Sequence, residues 1–170
     1  MVADDADAQR RRRSRDTQAT TEEKTSFADK LNYEIRVGNV AFGGGFALDL
    51  KPTVNYKVNK YISAGVGYRL DYDFINGFPD DFSLFSHGPL AMARAKVTPT
   101  IYVQAEYTLF KFDRPNNNDI KQNFPSIGAG YVQGGGNWKY SIEGMFVAND
   151  LARNIFNNSI EFWFNFSKNF

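Results

Sequence analysis

Cysteine is absent from the 170 residues and histidine occurs once. Disulfide frameworks, thiol nucleophiles and cysteine-based zinc sites are thereby excluded. Net charge is nearly absent too, with 20 Lys and Arg against 19 Asp and Glu. No bulk field marks the chain for nucleic acid or an acidic substrate. No apolar run approaches the roughly 18 residues of a membrane helix. What is plentiful is aromatic side chains, with 16 Phe and 9 Tyr, beside 14 Gly. In a chain of negative mean hydropathy, that mixture predicts short strands joined by turns.

The first 28 residues stand apart. Twelve are charged, Phe27 is their only aromatic residue, and Arg10 to Arg13 form an unbroken basic run. Such a stretch cannot bury enough apolar surface to offset its ordering entropy, so residues 1–28 read as a flexible charged tail. Ala6-Asp7-Ala8 has the form of a signal-peptide cleavage site but no apolar segment precedes it.

From Leu31 onward apolar and polar residues alternate with period two, the signature of strands with two unlike faces. Tyr33, Ile35 and Val37 oppose Glu34 and Arg36; Leu48, Leu50, Val54 and Tyr56 oppose Asp49, Lys51, Thr53 and Asn55. The pattern continues to Ile160, Phe162, Phe164, Phe166 and Phe170, set against Glu161, Asn165, Ser167 and Asn169. Eight such segments predict an all-β fold over 29–170. Tight connections at Val58–Tyr61, Val97–Thr100 and Gln133–Asn137 alternate with long ones at Ile75–Gly88, Asp113–Asn123 and Ala148–Asn158. Gly43-Gly44-Gly45 is short where a long loop is due. Short turns at one end and long loops at the other suit an antiparallel up-and-down transmembrane β-barrel, and closure removes every unpaired edge.

The polar face carries Gly65, Gly67, Gly128 and Gly130 among long charged residues, as a narrow lumen requires. Its charges balance: Arg36, Lys51, Lys57, Arg69, Arg94, Lys96 and Lys139 against Glu34, Asp49, Asp71, Asp73, Glu106, Glu143 and Glu161. Charges withdrawn from water must be paired, so the expectation is a plugged, ion-paired lumen and no diffusion pore. Pro52 lacks a ladder donor and is expected at a bulge.

The closing stretch Ile160-Glu161-Phe162-Trp163-Phe164-Asn165-Phe166-Ser167-Lys168-Asn169-Phe170, together with residues 51–68, resembles the small outer-membrane barrels of Bacteroidota. The resemblance implies an outer-membrane location and contact with its lipid. It also implies reading of Phe162, Phe164, Phe166 and Phe170 by the barrel assembly machinery. It names no cofactor and no activity.

One constellation has the residue types of hydrolytic chemistry: Asp80, Asp81, Ser83, Ser86 and His87, in the long second connection. A nucleophile and its base must lie within hydrogen-bond reach, and adjacent loop residues more commonly face solvent. The glycine triplets precede no Lys-Ser/Thr and read as turns, not phosphate loops. The expected function is a structural or accessory subunit of a larger outer-membrane complex. Phe78, Phe82, Leu84, Phe85, Ile120, Leu151, Ile155 and Phe156 are expected as exposed loop contacts for a partner. A rim-sited lipid-modifying enzyme and a soluble lipocalin-like barrel are the alternatives.

Overall fold

In a computed structural model, which describes residues 26–42, 45–77, 81–113, 119–156 (Ile155 by backbone only) and 158–170, eight strands form one closed antiparallel barrel. They are β1 (Leu31–Phe42), β2 (Gly45–Lys57), β3 (Ile62–Ile75), β4 (Phe82–Lys96), β5 (Ile101–Phe112), β6 (Ile120–Gln133), β7 (Trp138–Val147) and β8 (Ile160–Lys168). Each pairs with its neighbours in sequence, and β8 closes onto β1 through pairs such as Arg36 with Asn165. Most of the expected charged tail lies outside the described residues. Its last two residues open a 3-10 helix, Phe27–Lys30, capped reciprocally by Ser26 and Asp29.

The tight turns are built by local side chains. Asn59 Oδ1 accepts the N–H groups of Tyr61 and Ile62 at 2.7 and 2.8 Å, closing β2 onto β3. Thr98 Oγ1 accepts from Ile101 N–H at 2.9 Å between β4 and β5. Gly134 and Gly136, at φ 125° and 62°, supply the left-handed backbone between β6 and β7 that a side chain would disfavour.

Three features depart from expectation. The β1–β2 register shifts between Gly38 and Ala41, beside Asn39 at φ 43°, while Pro52 pairs in register with Ile35. The irregularity sits where a residue accepts positive φ; Pro52, exposed on the outer face, needs none. The long second connection is short, because β4 begins at Phe82 and takes in Ser83 to Gly88. The connection after β7, expected as a loop, contains a helix, α1 (Asp150–Phe156). Strands β7 and β8, at 10 and 9 residues, are the shortest, and α1 connects them.

The two faces separate as the alternation predicts. Phe162, Phe164 and Phe166 point outward at 65%, 57% and 54% exposure, while Arg36, Arg69 and Glu143 are fully buried inside. Along all eight strands the outward positions carry a formal charge only at Lys111, Lys121 and Lys168, each at or next to a strand end. Tyr61, Tyr131, Trp138 and Tyr140 stand outward near the short turns, and Phe42, Tyr72 and Phe85 near the other end.

Candidate functional site

Among the described residues, ionisable side chains converge in the lumen. Alternation sends every second residue of each strand inward, and the small bore of eight strands forces those residues together. Arg36 Nη1 lies 2.7 Å from Glu106 and 3.2 Å from Glu143, and its Nε is 3.5 Å from Glu34. Arg94 holds Glu34 in a two-pronged contact at 2.8 and 2.9 Å, the fork geometry that only a guanidinium offers. Lys51 Nζ bonds Glu106 at 2.8 Å and stands 3.9 Å from the Trp163 ring. Arg69 donates to Asp71 at 2.9 Å and pairs with Glu161 at 2.9 Å and Asp49 at 3.5 Å.

Neutral groups complete the coordination. Tyr102 O–H donates to Glu143 at 2.9 Å, Gln104 accepts from Arg94 at 2.8 Å, and Asn165 donates to Tyr102 and Ser141 at 3.0 Å each. Space is tight: a Cβ on Gly130 would fall 2.2 Å from Tyr102 Cζ, and one on Gly65 2.0 Å from Asn55 Oδ1. The inward glycines therefore leave room for the side chains of their pairing partners on the adjacent strand, Tyr102 opposite Gly130 and Asn55 opposite Gly65.

The charges do not pair one for one. Four buried cations, Arg36, Lys51, Arg69 and Arg94, contact six carboxylates, Glu34, Asp49, Asp71, Glu106, Glu143 and Glu161. Lys96 stands outside that network. Its ammonium lies 4.5 Å over the Phe170 ring, half-buried at the turn end with Lys57 and Lys139. Lys96 is expected among the paired charges; as the last residue of β4, immediately before the turn, its side chain lies at the mouth instead of the packed centre.

Phe170 corrects a second expectation. It does not continue the outward row of Phe162, Phe164 and Phe166. Asn169, at φ 61°, turns the chain, and the Phe170 ring folds into the lumen mouth 5.5 Å from the Tyr102 ring and 5.0 Å from the Arg94 guanidinium.

The loop end is sealed by a cluster that sequence reading missed. Phe110, Phe112, Phe124, Val147 and Ala152 are buried together, with Ile120 and Phe156 packed on them. Helix α1 carries Phe156 inward, where its ring meets Phe112 at 5.2 Å, Phe124 at 5.4 Å and the Arg69 guanidinium at 4.4 Å. The inward parity of β5 runs on from Thr108 to Phe110 and Phe112 and was the available signal. Several residues expected as exposed loop contacts are thus elsewhere: Phe82, Leu84, Phe85 and Ile120 lie in strands and Phe156 lines the seal, while Leu151 is exposed on α1. Phe78 and the Ile155 side chain lie outside the described residues.

The hydrolytic constellation does not assemble. Ser86 and His87 are consecutive in β4 and therefore face opposite sides of the wall. Ser86 Oγ points inward and accepts Asp113 N–H at 3.0 Å; His87 points outward, its Nδ1 2.6 Å from the Tyr68 hydroxyl. Ser83 and Asp81 are exposed, and Asp80 lies outside the described residues. Among the described residues no group of three or more His, Cys, Asp or Glu is placed to hold a metal. Compared with protein-family models, with curated proteins and with solved structures, this closed eight-stranded barrel with an ion-paired interior matches none.

Proposed function

We propose that the chain is an outer-membrane β-barrel that serves as a structural or accessory subunit, anchored in lipid and closed to diffusion. One observation carries the reading: across eight strands the outer wall has no charge except three lysines at strand ends, while the charges are inside. In water that arrangement is inverted, because it exposes Phe, Ile and Val and withdraws four cations and six carboxylates. Hydrocarbon reverses the balance. Strands of 9 to 15 residues, tilted by about 40°, cross an apolar band of roughly 25 Å. The outward Tyr and Trp near the strand ends suit its two interfaces.

A lumen filled by ion pairs leaves the outer surface and the loop end as the places for work. That favours an anchor or a subunit docked to a larger outer-membrane assembly over transport. In a membrane barrel of this design the short turns face the periplasm, and Phe162, Phe164 and Phe166 present the signal that barrel assembly machinery engages. The test is physical. Expressed with an export leader, the protein should stay in the pellet after carbonate and high-salt washes and show no steady conductance in planar bilayers. Release by carbonate, or a stable open channel, would contradict the proposal.

A further inference from the structure

The turn end of the lumen gathers cations without matching carboxylates. A cavity of about 300 Å³ opens there, lined among others by Asn32, Lys57, Lys60, Arg94, Lys96 and Phe170. That is room for on the order of ten waters. No Asp or Glu lines it. Arg94 is already held by Glu34, whereas Lys57, Lys60 and Lys96 form no ion pair among the described residues. The charged neighbours of Lys96 are Lys57, Arg94 and Lys139, all cations. Lys57 has one acidic neighbour, Asp29, whose carboxylate also caps the Ser26 N–H at 3.1 Å.

A second feature lies at the same cavity. Asn32, one of its lining residues, is 4% exposed, and its Oδ1 has no hydrogen-bond partner among the described residues. A buried polar atom without a partner costs roughly 1–3 kcal/mol, so a native site of this kind normally receives a donor. Three ammonium groups and one free acceptor together describe their ligand: several anionic oxygens and one hydroxyl.

We propose that this cavity binds a phosphate group bearing or adjoining a hydroxyl, with Lys57, Lys60 and Lys96 donating to its oxygens and Asn32 Oδ1 accepting from the hydroxyl. Monohydrogen phosphate and the headgroup of a glycerol-phosphate lipid share that chemistry. Lysines suit it as mobile point charges, brought to one mouth by the ends of β2 and β4 and the turn after β2. The Phe170 ring floors the site and keeps Lys96 in place by its face.

The full chain, refolded in maltoside micelles that carry no phosphate, is titrated at constant ionic strength with sodium phosphate and, separately, with dihexanoyl-phosphatidylglycerol. Backbone amide shifts of Asn32, Lys96 and Phe170 are followed by NMR. Saturable shifts at these residues are expected. Saturation by both ligands assigns the phosphate group itself, by the lipid alone a headgroup, and by phosphate alone a soluble ion. The K57Q/K96Q variant should bind at least tenfold more weakly, while K121Q, at the opposite end, should bind as the wild type does. Should the double variant fail to fold, K60Q, in an exposed turn, should still weaken binding at least threefold. No saturable shift with either ligand, or affinity insensitive to these lysines, overturns the proposal. The phosphate arm needs no bilayer, so its outcome is separate from that of the membrane reading.

Discussion

The two ends of the lumen are built from opposite materials. At the loop end Phe110, Phe124 and Phe156 pack around the Arg69 guanidinium, with Phe112 against Phe110 and Phe156, and α1 supplies Ala152 and Phe156 to the cluster. At the turn end two aromatic rings, Phe170 and Tyr61, meet lysines instead of one another and leave a cavity. Between them lies the shared ion-paired middle. The contrast teaches that closing a small barrel takes two separate devices. Alternation fills the bore automatically, but covering a mouth requires chain that leaves the strand pattern: a helix seals one mouth, and the turned-in Phe170 covers the other only in part.

Breaking the shared middle should have the largest effect. Arg36→Met leaves Glu106 and Glu143 facing one another without their common cation. A loss of about 3–5 kcal/mol is expected, because a buried charge without its partner costs far more than the pair contributes. Urea unfolding from micelles, read by the fluorescence of Trp138 outside and Trp163 inside, measures it. Phe156→Ala breaks the sealed end next. Phe→Ala in a full core costs about 3–5 kcal/mol, and this half-buried ring should cost about 2. The same variant should open Trp163, now 1% exposed, to acrylamide quenching.

Phe170→Ala is the counterpart at the open end. Its ring is half-buried against Tyr102, so the expected loss is about 1 kcal/mol with no change in Trp163 quenching. A loss as large as that for Phe156→Ala would erase the distinction between the ends. Lys121→Gln, exposed on the outer wall beyond both devices, should fall within about 0.5 kcal/mol of the wild type.

Period-two alternation made the strands and their faces legible, since a one-residue slip would turn Arg36 or Glu143 outward. The tight turns were equally legible, carried by Asn59, Thr98 and the Gly134–Gly136 run. The seals were not. Helix α1 is too short for a helical period to stand out, and its inward residues Ala152 and Phe156 look like ordinary loop residues. Phe170 keeps the spacing of the outward phenylalanines, and only the left-handed Asn169 reverses it. Ser86 and His87 are expected side by side in a solvent-facing loop; they lie instead in β4, which turns consecutive residues to opposite sides of the wall. The charge sorting was half visible: the parity identified every buried ion, but not that Lys57, Lys96 and Lys139 collect at one mouth.

The central claim is that the apolar face meets hydrocarbon. The chain has no cysteine, so a single thiol introduced by Val66→Cys, Ile127→Cys or Phe164→Cys reports one point on the outer wall, and Thr98→Cys reports a turn. Spin labels at these four sites, in protein reconstituted into lipid vesicles, are relaxed in turn by molecular oxygen and by a water-soluble nickel chelate. The account predicts relaxation dominated by oxygen at the three wall sites and by the chelate at Thr98. Chelate-dominated relaxation at Val66, Ile127 and Phe164 would place that wall in water and contradict it.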